Sequence, residues 1–300
     1  MIALLTCVEG LVTGLPRAYS DRQMIDPPPR DLSLSVDGLR VDVLEAGRAR
    51  HPGSWVSPES AVDEWLWSPI NVVLVRGGGG TTLIDAGAGS LGTWWPHEGF
   101  VCDLETALAR AGISSTEITK LVLTHLDFDH VGGAVVGAWP DELEEAFPGV
   151  PVTVLGDAVT AAEAADTDAP LNAATRAVAV LRGAGVLETV EDGVEITPGV
   201  RIRSAPGHRP GHALIEIGSS PARVVFIADI LHHPVHAQHP EWDAFADEDV
   251  DMALRTRRAV LSELAGTGTR VFAAHIAADL PLTVRRDGEA WRFVPSQQSS

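Results

Sequence analysis

Short apolar or alternating runs, separated by turn residues, divide this chain into two groups of predicted β-strands, each followed by helices. The first group consists of a hairpin around Asp37-Gly38 and strands at residues 70–75, 81–85, 121–123 and 152–155. The second consists of strands at residues 194–203, 213–217 and 223–228 and a hairpin around Asp287-Gly288. Helical spacing is found at residues 102–111, 157–165, 174–181 and 249–264. Residues 51–69 are expected to be a long insertion, and the acidic run 141–147 the solvated face of a helix.

Four side chains that can bind a metal ion lie within six residues, just after the apolar run 121–123: His125, Asp127, Asp129 and His130. In an extended segment alternate side chains point the same way, so His125 and Asp127 can reach one metal ion. Asp129 and His130, where the chain turns, can reach a second. Buried carboxylates and imidazoles at this density are costly unless a cation pairs with them. This stretch therefore predicts a metal site at a strand-to-helix corner.

Three further segments place a candidate ligand at or just after an apolar run. These ligands are His208 in a Pro-Gly-His loop, Asp229 after residues 224–228, and His275 after residues 271–274. Together with the His-x-Asp-x-Asp-His stretch, and in this order, they resemble the metallo-β-lactamase superfamily over about residues 33–295. The sequence departs from that family at Asp127, where the family usually has histidine.

A second signature lies just beyond the Asp229 position. The turn Leu231-His232-His233-Pro234 resembles the branch of the superfamily that contains methyl parathion hydrolase and related lactonases. In this branch a His-His-Pro turn follows the bridging aspartate, and an N-terminal insertion forms part of the pocket and often a dimer contact. The resemblance therefore allows a homodimer.

The superfamily resemblance implies an α/β (α+β) fold, the four-layer αββα sandwich, in which loops at one edge bring the ligands together. The catalytic domain would cover residues 33–295, between an N-terminal arm (1–32) and a short tail (296–300). By the family pattern one metal ion is held by His125, Asp127 and His208, and the other by Asp129, His130 and His275, with Asp229 bridging. Asp129 is also the expected catalytic residue, placed to orient the attacking hydroxide or to carry a proton to the leaving group.

Four more residues are expected near these ligands. Asp85 ends the strand 81–85 in an Asp-x-Gly turn like the one that members carry below the metal site, and it would orient a ligand or the backbone. His212 is expected to pack or form hydrogen bonds beside the ligands. His232 and His233 either line the pocket or support the turn.

The implied function is a dinuclear metal hydrolase, in which a hydroxide held between two divalent ions cleaves a lactone, a carboxylic ester or an organophosphate-type ester. Zinc is the expected metal. Because a carboxylate is a harder ligand than an imidazole, Asp127 makes manganese or iron competitive. The alternative is a mononuclear iron oxygenase of the persulfide dioxygenase type with an empty second site. The complete second set of ligands favours the hydrolase.

The early tryptophans favour a small apolar or aromatic substrate, because flat aromatic surface suits an aryl or acyl group. For any one of them, a place in a dimer contact or in the core is an equal alternative. Five of the eight fall in two early loops: Trp55, Trp65, Trp67, Trp94 and Trp95. Lactonases of the superfamily often place a tyrosine beside the metals. The single tyrosine of this chain, Tyr19, lies in the N-terminal arm, which weakens the acyl-homoserine-lactone interpretation.

Composition limits the partners and the location that are expected for the protein. A net charge of −19 argues against a nucleic-acid partner, since phosphate contacts need clustered lysine and arginine. The two cysteines, Cys7 and Cys102, form no disulfide framework, and a cytoplasmic location with reduced thiols is expected. No apolar run reaches transmembrane length, and the apolar N-terminus lacks the positive segment of a secretory signal. The expected partner is therefore a small-molecule substrate, without a membrane.

Overall fold

The computed structural model describes residues 29–59, 65–89, 101–138, 142–165, 173–219 and 223–296. Several features named above lie outside these residues: most of the predicted N-terminal arm with Cys7 and Tyr19, the Trp94-Trp95 pair, and all but the first residue of the predicted tail. Within the described part of the chain, no helix is both long and apolar enough to span a membrane.

The described strands, in chain order, are β1 (Leu32–Val36), β2 (Leu39–Pro52), β3 (Trp65–Gly77), β4 (Gly80–Ile84), β5 (Val101–Cys102), β6 (Lys120–Val122), β7 (Val135–Ala138), β8 (Glu142–Glu145), β9 (Val152–Leu155), β10 (Leu187–Val190), β11 (Glu195–Thr197), β12 (Val200–Ser204), β13 (Ala213–Ile217), β14 (Val224–Phe226), β15 (Arg270–Phe272), β16 (Leu282–Asp287) and β17 (Ala290–Pro295). The described α-helices are α1 (Leu104–Arg110), α2 (Phe128–Val131), α3 (Gly156–Ala164), α4 (Ala173–Gly183), α5 (Val235–Gln238) and α6 (Val250–Leu264).

Two large mixed sheets form the centre of the protein. The first has eight strands in the order β1-β2-β3-β4-β6-β9-β10, with β5 paired to β2. The second has seven strands in the order β11-β12-β13-β14-β15-β16-β17. Strands β4, β6, β9 and β10 run parallel to one another, and so do β14 and β15. The carboxyl ends of these parallel strands carry the metal-binding stretch and the loop after β14, so both sheets contribute to one edge.

The alternation of side chains along each strand divides the core into layers. In β3, Val73 and Val75 pack against the second sheet, whereas Val72 and Leu74 pack against helices α1, α3 and α4. On the other side of the molecule, α6 covers the second sheet through Leu261 and its neighbours. The four-layer αββα sandwich predicted from the sequence is therefore confirmed.

One predicted element is wrong. The acidic segment 141–147 is not a helix, because its residues Glu142–Glu145 form β8 and pair with β7. Its one apolar strand residue, Leu143, packs against the core beside α4 while Glu142 and Glu144 are exposed, which is the period of a strand and not of a helix. Within the expected insertion at residues 51–69, the described residues 51–52 and 65–69 are strand, since β2 continues to Pro52 and pairs there with Trp65 at the start of β3.

The metal-binding stretch is locked to the turn after β4 by two glycines. The helix expected after it lasts only one turn, α2, and a 3₁₀ turn at Gly132–Ala134 leads directly into β7. A Cβ atom on Gly133 would lie 2.1 Å from the carbonyl oxygen of Ala86, and one on Gly132 would lie 2.3 Å from that of Ala88. Only glycine allows this close approach of two backbones, which holds the metal-binding stretch against the first sheet.

We expect Gly133→Ala to lower the free energy of unfolding by about 1–3 kcal/mol, because the added methyl group forces two backbone segments apart. Urea denaturation measures this change. Gly183→Ala is the matched control, since no atom lies within 4 Å of the added Cβ and the backbone there is not left-handed. That variant should lose no stability, and equal midpoints for the two variants would contradict the role given to Gly133.

Candidate metal centre

The seven predicted ligands come together at the shared edge of the two sheets, around the buried carboxylate of Asp229. Its Oδ1 atom lies 3.3 Å from Nε2 of His130, and its Oδ2 atom lies 3.3 Å from Nε2 of His275. Oδ2 is also 3.4 Å from Nε2 of His208 and 3.8 Å from Nε2 of His125. This carboxylate thus lies within 3.8 Å of the four predicted imidazole ligands, and its bridging role stays a prediction.

The side chains fall into two groups on either side of Asp229. His125 and His208 lie with it in one group whose candidate ligand atoms are all within 4.8 Å of one another, and Asp129, His130 and His275 form the other. Oδ2 of Asp127 lies 3.4 Å from Nε2 of His208, beside the first group. The second group is the predicted set of Asp129, His130 and His275, whereas the first contains Asp229 in place of the predicted Asp127. His232 belongs to two further groups, one with His208 and Asp247 and one with Asp229 and His275. The assignment of an ion to each set stays a prediction.

The imidazoles are held by their outer nitrogens, so that the inner nitrogens face the centre. The Nδ1 atoms have these neighbours: for His125 the Thr124 hydroxyl at 3.1 Å, for His130 the Asp85 carboxylate at 2.8 Å, for His208 the Asp247 carboxylate at 3.1 Å, and for His275 the Pro69 carbonyl at 2.9 Å. This is the arrangement that fixes the tautomer and ring orientation of metal-binding histidines.

Several buried atoms at the centre have no hydrogen-bond partner among the described residues. They are Nε2 of His125, His130 and His208, together with Oδ1 of Asp229. Leaving a buried polar atom unpaired costs about 1–3 kcal/mol. Four such atoms in one cluster fit a site for divalent cations, with nitrogen and oxygen ligands that suit zinc, manganese or iron.

Asp85 lies where the sequence analysis expected an orienting residue. It accepts hydrogen bonds from the backbone N–H and the hydroxyl of Thr124, both at 2.8 Å, and its Oδ2 is the neighbour of His130. Its backbone is left-handed, with φ of 58°, which is uncommon outside glycine, asparagine and aspartate. The aspartate thus joins the end of β4 to Thr124 and His130, at the two ends of the metal-binding stretch.

The three other predicted histidines have different surroundings. His212 is buried, and its ring spans the Ala205 carbonyl oxygen (2.8 Å from Nδ1) and the backbone N–H of Asp229, which donates to Nε2. Burial lowers its pKa to about 3, so it is a neutral support. His232 faces the centre, with Nε2 3.3 Å from Oδ2 of Asp229, and lines the cavity, whereas His233 accepts a hydrogen bond from the Val235 N–H at the start of α5.

Burial and the surrounding charges shift the pKa values of two neighbouring imidazoles, His125 and His130, in opposite directions. Burial lowers the pKa of His130, but the carboxylates of Asp229, Asp85 and Asp129 outweigh it and raise that pKa well above its usual value. Burial and the charge of His130 lower the pKa of His125 well below its usual value. Because a histidine binds a metal ion in its neutral form, cation binding at His130 would be coupled to proton release.

Two charged residues of the site, Asp247 and Arg209, were not predicted from the sequence. Asp247, whose Oδ1 lies 3.1 Å from Nδ1 of His208, is in an acidic stretch that matched no motif, and Arg257 on α6 lies 3.4 Å from its other oxygen. Arg209 donates a hydrogen bond from Nε to Oδ1 of Asp127 at 2.7 Å. Its position directly after His208 was visible in the sequence, but no pattern linked it to residue 127.

A cavity of about 520 Å³ opens onto the centre. Its floor includes Asp129, Asp229 and His275, and its walls include residues of the β2–β3 hairpin and of the segment 244–248. The rings of His51, Trp55 and Phe245 lie in one stack at the wall, with centroids 6.0 and 4.3 Å apart. Trp55 is therefore the predicted aromatic residue that the structure places at the cavity, and Trp65 and Trp67 do not line it.

The fold and this cluster define a metal-binding αββα protein with an open cavity at the edge of its two sheets. Residues 65–275 match the family described as Metallo-beta-lactamase superfamily. The chain belongs to that superfamily, as its motifs predicted, and the membership supports the expected enzyme class, a metal-dependent hydrolase.

Solved structures agree on the fold. AidC, described as a dizinc quorum-quenching lactonase in complex with the product N-hexanoyl-L-homoserine, has a TM-score of 0.78 and 21% identity, covering 92% of this chain and 100% of that one. The hydrolase AbOPH has a TM-score of 0.76 and 20% identity over the same shares. A quorum-quenching N-acyl homoserine lactone lactonase has a TM-score of 0.63 and 20% identity over 81% and 94%. A search of curated proteins found no significant match.

We expect Asp247→Asn to weaken metal binding by about 10- to 100-fold, because the amide cannot hold His208 as a carboxylate does. Competition with a chromophoric chelator measures the affinity. Asp243→Asn, at an exposed position nearby, is the control and should bind metal as the unmodified protein does. Equal affinities in the two variants would contradict the role given to Asp247.

Proposed function

We propose that this protein is a dinuclear metal hydrolase that cleaves a lactone, a carboxylic ester or an organophosphate-type ester. The observation that carries the proposal is the central Asp229 carboxylate with imidazole nitrogens of both groups 3.3–3.8 Å away. The two ligand groups have their own carboxylates, Asp127 and Asp129, which further supports two ions over one.

Each group has the composition of a divalent-cation site. His125, Asp127 and His208 would hold one ion, and Asp129, His130 and His275 the other, with Asp229 shared. Two ions so held would supply an activated water at neutral pH and polarise the oxygen of the scissile group. No serine or cysteine nucleophile is then required.

The protein's own side chains would position the substrate and move protons. Asp129 lines the cavity floor with an oxygen 3.5 Å from His275, close enough to the reacting group to pass a proton to the leaving oxygen. His232 faces the same space and can donate a hydrogen bond from its ring to a substrate oxygen. That imidazole supplies a polar group where the described residues contain no tyrosine.

The cavity supports a small substrate with an apolar or aromatic part. A volume of about 520 Å³ is within the usual range for small-molecule sites. The stack of His51, Trp55 and Phe245 offers a flat face for an aryl or acyl group. The product named for AidC, N-hexanoyl-L-homoserine, and its description as a lactonase make lactones with an acyl chain one of the substrate classes to test first.

Elemental analysis of protein purified without added metal is the first test. We expect about two equivalents of zinc or manganese per chain, and hydrolysis of at least one of the lactones, aryl esters and phosphotriesters screened. Chelation should abolish the hydrolysis, and added metal should restore it. Asp229→Asn should lose both ions, because it removes the shared ligand.

One equivalent of iron, with oxygen uptake and no hydrolysis, would replace this proposal with the oxygenase alternative. Failure to bind any metal after reconstitution would exclude both.

The exposed ring of Phe245 gives a test of the substrate face. It is 67% exposed although it stacks on Trp55, so it can contact a bound aryl group. We expect Phe245→Ala to raise KM for an aryl ester by about 2- to 10-fold with kcat unchanged, since uniform binding is lost. Val136→Ala, at an exposed apolar position outside the cavity, is the control. A fall in kcat at unchanged KM would contradict this role.

A further inference from the structure

Asp127 is the position at which this chain departs from its family, and its two oxygens have separate neighbours. Oδ2 faces the centre, 3.4 Å from Nε2 of His208 and 3.8 Å from Nε2 of His125. Oδ1 points away and accepts the 2.7 Å hydrogen bond from Nε of Arg209. Only one oxygen of this carboxylate is therefore available to a metal ion.

Arg209 is itself fixed in place. Its Nη1 atom donates to the carbonyl oxygen of His208 at 3.0 Å and to that of Ala246. The guanidinium thus joins the Pro-Gly-His loop to the segment 244–248. It donates hydrogen bonds to Asp127 and to the carbonyl oxygens of His208 and Ala246. Lysine, with a compact point charge, cannot reproduce this planar set of donors.

The loop that carries Arg209 has a glycine on each side of it, at positions that only glycine can occupy. A Cβ on Gly207 would lie 2.2 Å from the backbone nitrogen of Ala253 on α6. A Cβ on Gly211 would lie 2.2 Å from that of Ala158 on α3, and both glycines have positive φ. These contacts fix the backbone on either side of Arg209, so the side chain is aimed at Asp127 by the fold.

We infer that Arg209 and Asp127 act as one unit that replaces the histidine usual in the family: the guanidinium presents Asp127 as a one-oxygen ligand and cancels its charge. Arg209 is thus a positioning residue of the proposed dinuclear centre, on which this inference rests. The pair is neutral, like an imidazole. The expected preference of Asp127 for manganese or iron is reduced accordingly, because a carboxylate bound to arginine donates less charge to a metal ion.

The surrounding charges favour the ionised forms of both Asp127 and Arg209. Burial raises the pKa of Asp127, but the adjacent imidazole of His208 and the charges of His125 and Arg209 hold it well below its usual range. Burial lowers the pKa of Arg209, and the carboxylate of Asp127 outweighs it. Either partner left alone would be a partly buried charge without its counterion.

A double-mutant cycle read out as metal affinity tests the inference. We expect Arg209→Met to bind the more weakly held zinc or manganese ion about 10- to 100-fold less tightly, as measured by chelator competition and elemental analysis. Asp127→His should also lose metal, because it leaves Arg209 beside an imidazole and a cation. The double variant Asp127→His/Arg209→Met should recover two equivalents, because imidazole then replaces the whole pair.

The controls separate folding from metal binding. Far-ultraviolet circular dichroism and thermal denaturation show whether each variant folds. Arg209→Lys keeps the positive charge without the set of hydrogen bonds, and it should fold while binding the ion with intermediate affinity. Arg255→Met on α6, at an exposed arginine outside the cavity, should bind two equivalents.

Two results would overturn the inference. The first is that the Asp127→His variant, with Arg209 intact, binds two equivalents of metal with undiminished affinity. The second is a double variant whose loss is the sum of the two single losses, which would mean that the residues act independently. If the unmodified protein bound fewer than two ions, the dinuclear centre itself would fail, and that outcome is distinct from either of these.

Discussion

The structure depends on one electrostatic constraint, the burial of several carboxylates and imidazoles around Asp229. Such groups are stable in a protein interior only when each is paired or when a cation neutralises them. The outer atoms are paired by the protein itself, through Asp85, Asp247 and the carbonyl of Pro69. The inner atoms are left for metal ions. The glycine contacts, the left-handed turn at Asp85 and the short loops at the sheet edge all serve to hold this cluster in place.

The two sheets contribute unequally to the site and depend on each other. The first sheet supplies the His125–His130 stretch and the Asp85 turn, and the second supplies His208, Asp229 and His275. The side-chain amide of Asn71 on β3 donates to the carbonyl oxygens of Ala273 and Ile276, at 2.9 and 2.7 Å, on either side of His275. A residue of one sheet therefore fixes the loop that carries a candidate ligand of the other.

The sequence predicted most of the fold and the seven candidate ligands, because both depend on local patterns. Apolar runs mark the strands, and the ligands follow them in a fixed order. The failures have a common cause in contacts between distant residues. Residues 142–145 of the acidic segment form a strand through pairing with β7. Asp247 and Arg209 were missed because each is defined by a partner more than 30 residues away, His208 in one case and Asp127 in the other.

The link between Asn71 and the His275 loop has a consequence for how the protein matures. Neither sheet alone contains a complete set of ligands for two ions. The backbone N–H of Ala213 also donates to the carbonyl of Thr124, so a second bond between the sheets lies beside the first ligands. The two halves must therefore dock before the centre can hold its ions. Uptake of metal would mark the last step of folding, and a cell short of metal would accumulate chains that are folded in outline but whose candidate ligands are not yet held by a cation.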